Sequence, residues 1–166
     1  MAIENGADEV DIVMNVGKVL TGCYDEAAAE VEVIRQEMGE DVVLKVILET
    51  GALKSSQLIH DASLLAMLAG TDFIKTSTGK IDVSATPEAA IVMCHAIAEY
   101  YKVSGRKVGF KVAGGVRTAE EAALYYTIVE QILGQEWLNN ELFRIGASSL
   151  ANNLLSAIEG KEIKYY

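Results

Sequence analysis

Two stretches place lysines where an apolar strand should end. In DFIKTSTGK, residues 72–80, Lys75 follows Phe73 and Ile74, and Lys80 sits five positions on, behind Gly79. In GFKVAGGVRT, residues 109–118, Lys111 occupies the matching place. A buried ammonium is costly unless it is paired or becomes neutral. Two such lysines point to amine chemistry. A lysine attacks a carbonyl only as the free amine, and its ordinary pKa is about 10.4. A second ammonium about 4 Å away interacts by about 4 kcal/mol at an effective dielectric of about 20. At about 1.36 kcal/mol per pKa unit, that would bring Lys75 to about 7 while Lys111 keeps its proton. This is the activation expected of a Schiff-base lysine beside a cation. Asp11, in EVDIVM, is the carboxylate placed to move protons. A structural ion pair with a lysine is its alternative role.

Three glycine- and hydroxyl-rich loops accompany the lysines: STGK at 77–80, AGGVRT at 113–118 and GASS at 146–149. Glycines let a backbone approach an anion closely, and helix N-termini offer free N–H groups. Together the loops suggest a phosphate cradle, with Lys80 adding a point charge. STGK alone is not a P-loop, because Ile74 stands where the first glycine would be required.

The elements that must hold these residues follow a regular rhythm. β-type runs occur at 9–14, 42–49, 72–77, 108–113 and 142–147, with starts about 30 to 35 residues apart. Helical patterns lie between them. One opens at Asp25 as N-cap and closes at Gly39. A second opens at Ser55 or Ser56 and closes at Gly70. A third has Thr86 as N-cap and Pro87 in the first turn. A fourth has Thr118 and Glu121 as a capping box. A fifth starts behind GASS. Strand–helix alternation at this period predicts parallel βα units, in an open doubly wound sheet or a (β/α)8 barrel. Both bind ligands at the carboxyl ends of their strands, which is where the lysines and glycine loops gather.

The 166-residue chain is expected to form a single domain, and its 51% apolar content argues against disorder. A net charge of −10 argues against a general nucleic-acid surface, so any anion site must be a local basic pocket. No apolar run is long enough to span a bilayer. The acidic start MAIENGADEVD does not read as a signal peptide. Cys23 and Cys94 are too few for a disulfide framework. A cytoplasmic location is the expectation.

ADEVDIV, LKVILETG, DFIKTSTGK, GFKVAGGVRT and RIGASSL follow one another as they do in deoxyribose-phosphate aldolases, and the resemblance runs over essentially the whole chain. It implies a (β/α)8 TIM-barrel fold. It also implies reversible cleavage of 2-deoxyribose 5-phosphate to acetaldehyde and glyceraldehyde 3-phosphate, in deoxynucleoside catabolism, without metal or organic cofactor. By the match, Lys75 would form the Schiff base, Lys111 would be its partner lysine, and Asp11 the acid–base carboxylate. Gly79, Lys80, Gly114, Gly115, Ser148 and Ser149 would hold the phosphate. Val112 departs from the proline many relatives carry. Three further βα units that family members place before ADEVDIV are absent, so the expectation is a truncated barrel of five βα units. Its exposed edges and apolar side would favour self-association into a homo-oligomer, or relaxation into an open sheet covered by rearranged helices. A non-catalytic remnant that associates or binds phosphate weakly stays as the alternative to an active enzyme.

Other residues read as structure. His60, His95, Met67, Met93 and Trp137 suit packing or surface positions. Glu26, Glu30, Glu32 and Glu37 form a solvated helix face. Arg117 suits a helix-start contact. The role of Lys45 is left open, as is that of the C-terminal Tyr166.

Overall fold

The computed structural model describes residues 1–165. Five strands form one parallel sheet in sequential order: β1 Glu9–Val13, β2 Val43–Ile47, β3 Phe73–Lys75, β4 Gly109–Ala113 and β5 Phe143–Gly146. Helices follow each strand: α1 Val16–Leu20, α2 Tyr24–Met38, α3 Thr50–Leu53, α4 Ser56–Leu68, α5 Pro87–Ser104, α6 Ala119–Leu133 and α7 Leu150–Glu159. A 3₁₀ turn spans Gln135–Trp137. Among the described residues, no helix is long and apolar enough to cross a membrane.

The two faces of the sheet differ in chemistry, because side chains alternate along each strand. Leu44, Val46, Ile74, Phe110 and Val112 point outward and are fully buried. They pack with Ala62, Ala66, Met93, Ile97 and Val129 of α4, α5 and α6 into the core. Trp137 closes its lower end. It packs edge-on to Tyr101, with ring centroids 5.2 Å apart, and its indole N–H donates to the Val108 carbonyl at 3.0 Å. The other face carries Glu9, Asp11, Lys45, Phe73, Lys75, Lys111 and Arg144. The sheet curves around this face, since Arg144 on β5 reaches Glu9 on β1, the opposite edge strand.

The N-terminal rim is held by a half-buried ion pair. Arg35 of α2 donates to the carbonyls of Gly70 (3.0 Å), Gly39 (2.7 Å) and Val42 (3.0 Å), and it pairs with Asp72. Asp72 also accepts from the Leu44 N–H at 2.8 Å and from Arg106 at 2.9 Å. These bonds tie α2 and the starts of β2 and β3 together, far from the lysines.

Three caps match the sequence. Ser55 caps α4, Thr86 caps α5 with Pro87 in the first turn, and Thr118 with Glu121 forms the capping box of α6. Other boundaries differ. Cys23, not Asp25, is the N-cap of α2, and Asp25 sits in the first turn, where its charge suits the helix N-terminus. The second predicted helix is capped by Ala69 rather than Gly70. Strand β3 is shorter than 72–77. Thr76 Oγ1 donates to the Ala113 carbonyl and accepts from the Ala113 N–H, both at 3.0 Å, and the Ser77 hydroxyl also donates to that carbonyl. These side-chain bonds add to the backbone bonds that Thr76 still makes, its N–H donating to the Lys111 carbonyl at 3.1 Å. Short helices α1 and α3 carry no apolar period long enough to be read from sequence. Tyr166 lies outside the described residues.

Candidate active site

Parallel pairing sets the site. Asp11 lies opposite Lys45, and Lys75 lies opposite Lys111, on adjacent strands and on one face. Asp11 is the hub. Its Oδ1 accepts from Lys45 Nζ at 2.7 Å. Its Oδ2 accepts from Lys75 Nζ at 2.7 Å and from Lys111 Nζ at 3.2 Å. The two candidate lysines therefore share one oxygen atom, and both alternatives for Asp11 meet there. It is ion-paired, and it stands within proton-transfer distance of Lys75.

The electrostatics follow from these contacts. Burial works against the Asp11 carboxylate, but hydrogen bonds from Lys45, Lys75 and Lys111 and attraction to Lys75 outweigh it and hold its pKa well below the ordinary range. Asp11 is a carboxylate at neutral pH. The Lys111 pKa is lowered, first by burial; repulsion from Lys75 and Lys45 adds to this, and Asp11 opposes it. From sequence, the lowered pKa falls to Lys75 and Lys111 keeps its proton; in the structure Lys111 is the lysine whose pKa is lowered, because it is the burial of its own ammonium that leads.

The glycine loops gather beside the lysines. Gly79, Lys80, Gly114, Gly115 and Ser148 line one open cavity of about 480 Å³ with Lys75 and Lys111. Arg117 also lines it, and none of its lining residues is acidic. A basic pocket thus sits in a chain of net charge −10. Ser149 is not among the lining residues; it is the N-cap of α7 and makes no side-chain capping bond. Gly114 has φ of +86°, and a Cβ there would lie 2.6 Å from Ser84 Cβ, so the close approach of the two loops needs glycine.

Four further charged side chains stand around the site: Lys45 was left open from sequence, and no role was read there for Glu9, Arg144 or Glu49. Lys45, whose role was open, bridges Asp11 to Glu9, with Nζ to Glu9 Oε2 at 2.8 Å. Glu9 lies two residues before Asp11, and this period-two spacing was the available signal. Arg144 donates to both Glu9 oxygens, at 2.8 and 2.5 Å. Glu49 is buried at the end of β2 with φ of +55°. It accepts from the Thr78 N–H at 3.2 Å and the Thr78 hydroxyl at 2.5 Å, which anchors the TSTGK loop. The sequence signal for Glu49 was a charge directly after an apolar run.

The family profile described as DeoC/LacD family aldolase matches residues 1–155. The chain belongs to this aldolase family. It is 51% identical over 154 residues to the deoxyribose-phosphate aldolase of Mus musculus, covering 93% of this chain and 48% of that protein. It is 47% identical over 154 residues to the Homo sapiens deoxyribose-phosphate aldolase, again covering 93% and 48%. A crystal structure from Toxoplasma gondii ME49 shares the fold, with a TM-score of 0.79 at 23% identity, over 95% of this chain and 61% of that one. The chain thus spans about half the length of the curated relatives it matches. Its strands and helices superpose on part of a barrel-type relative, as the sequence resemblance implied.

Proposed function

We propose that this chain carries the Schiff-base chemistry of a deoxyribose-phosphate aldolase. The observation that supports it best is Asp11 Oδ2 held between Lys75 Nζ and Lys111 Nζ at 2.7 and 3.2 Å. In this reading, neutral Lys75 attacks the C1 aldehyde of open-chain 2-deoxyribose 5-phosphate. Water leaves, and an iminium forms. The iminium draws the electron pair of the C2–C3 bond as the C3 hydroxyl loses its proton. Glyceraldehyde 3-phosphate departs and leaves an enamine on Lys75. Protonation at C2 and hydrolysis release acetaldehyde. Asp11 relays protons to and from these centres, and Lys111 supplies the neighbouring positive charge.

The phosphate falls to the basic cavity, through Gly79, Lys80, Gly114, Gly115 and Ser148, without the Ser149 that the resemblance also named. The absence of acidic lining residues supports an anionic substrate. The reaction as written needs neither metal nor organic cofactor. We place the chain in the cytoplasm, with no nucleic-acid or membrane partner. We also infer self-association, since β1 and β5 are open edges and Val13 and Leu20 are half exposed beside β1.

The test is turnover. Incubation with 2-deoxyribose 5-phosphate should release glyceraldehyde 3-phosphate, and Lys75→Leu should abolish this. A folded chain that binds phosphate but releases no aldehyde would favour the non-catalytic reading.

A further inference from the structure

Glu9 and Arg144 stand on the two edge strands, 135 residues apart, yet they form an ion pair in which Arg144 Nη1 donates to both Glu9 oxygens. Arg144 is fixed from several sides. Its Nε donates to the Asn140 carbonyl at 2.8 Å, and its guanidinium lies 4.9 Å from the Phe73 ring centroid. Phe73 is itself pressed against Gly109, where a Cβ would come within 2.3 Å of the ring. Glu9 passes the contact to Lys45, which is only 4% exposed and bonds Asp11 Oδ1 at 2.7 Å. One oxygen of Asp11 is thereby committed, and the other is left for Lys75 and Lys111.

We propose that Arg144 and Glu9 form a positioning clasp across the open arc, which through Lys45 aims Asp11 at the Lys75–Lys111 pair. The catalytic meaning of the clasp rests on the Schiff-base reading; its effect on the two lysines does not.

The charges that face these lysines can be named strand by strand. They are Glu9 and Asp11 on β1, Lys45 on β2, Lys75 on β3, Lys111 on β4 and Arg144 on β5. At the rim, Glu49 is bonded to Thr78, and Lys80 and Arg117 line the cavity. On the inner face, four cations are balanced by two carboxylates. Removing the Glu9 charge leaves Lys45 to Asp11 alone, so Asp11 compensates the candidate lysines less. Removing the Arg144 charge frees Glu9 to hold Lys45, so Asp11 compensates them more. The two changes should push the lysine ammoniums in opposite directions. A bridge that only ties the edge strands, its charges screened from Lys75 and Lys111, would lower stability in both variants without that opposition.

The experiment is a pH titration of amine reactivity at Lys75 and Lys111, using a small acylating reagent and peptide mass spectrometry. Borohydride trapping with acetaldehyde runs in parallel. Glu9→Gln should move the midpoint of reactivity down by about half a pH unit, and Arg144→Gln should move it up by a similar amount. Arg144→Lys, which keeps the charge, should stay near the parent protein. If Arg144→Gln does not fold, Glu9→Gln against the charge-conserving Glu9→Asp makes the same comparison, with only Gln moving the midpoint. Unmoved midpoints, or shifts of one sign, would overturn the clasp. Opposite shifts in a protein that never traps acetaldehyde would leave the clasp standing and remove the Schiff-base reading. Trapping at Lys75 with unmoved midpoints would do the reverse.

Discussion

Acid should unlock the inner face, and Glu9 sets the scale. Hydrogen bonds from Arg144, then from Lys45, and attraction to both hold its pKa at about 2, against an ordinary 4.5. A folded-state pKa below the unfolded one means stability that is present above about 4.5 and lost as pH falls toward about 2. At about 1.36 kcal/mol per pKa unit, the drop sets a ceiling of about 3 kcal/mol. The Glu9 side chain is 32% exposed, so solvent screening reduces the expected contribution to about 1–2 kcal/mol. The assay is urea unfolding of the parent protein and Glu9→Gln across this pH range. At neutral pH the variant should be less stable by about 1–2 kcal/mol. The gap should close as pH falls and Glu9 of the parent protein takes up its proton. A gap that stays constant down to about pH 2, or no gap at neutral pH, would refute the assignment of the Glu9 pairs as stabilising.

Other perturbations have expected outcomes. Lys45→Met leaves Glu9 and Asp11 without their shared buried cation and should cost about 3–5 kcal/mol in urea unfolding. Gly109→Ala forces the Phe73 ring to move and should cost about 1–3 kcal/mol; combining it with Phe73→Leu should recover part of the loss. Trp137→Phe strands the buried Val108 carbonyl and should lower stability by about 1–3 kcal/mol, read by thermal or urea melts. Gly114→Ala should raise the KM for a phosphorylated substrate more than it lowers kcat, because the added Cβ collides with Ser84 at the cavity wall.

The fold was legible because its strands and helix starts carry strong local chemistry. Pro87 and the Thr118–Glu121 box fixed two helices from sequence alone, and the five apolar runs became five parallel strands. Lys75 and Lys111 were legible because each ends an apolar run, and the β3–β4 register then sets them side by side. The contacts made across the arc were not legible. Nothing in the local sequence of Glu9 points to Arg144, since only the curvature of the sheet brings them together. Glu49 was hidden in the same way, because its partner Thr78 lies on the next strand's loop. The hydroxyl bonds from Thr76 and Ser77 to Ala113 are another cross-strand fact.

The central claim is that Asp11, Lys75 and Lys111 form a working Schiff-base centre. Borohydride trapping with acetaldehyde, mapped by peptide mass spectrometry, tests it most directly. Reductive alkylation should concentrate on Lys75, disappear in Lys75→Leu and weaken in Asp11→Asn. Slow labelling scattered over exposed lysines, with Lys75 no more reactive than the rest, would contradict it.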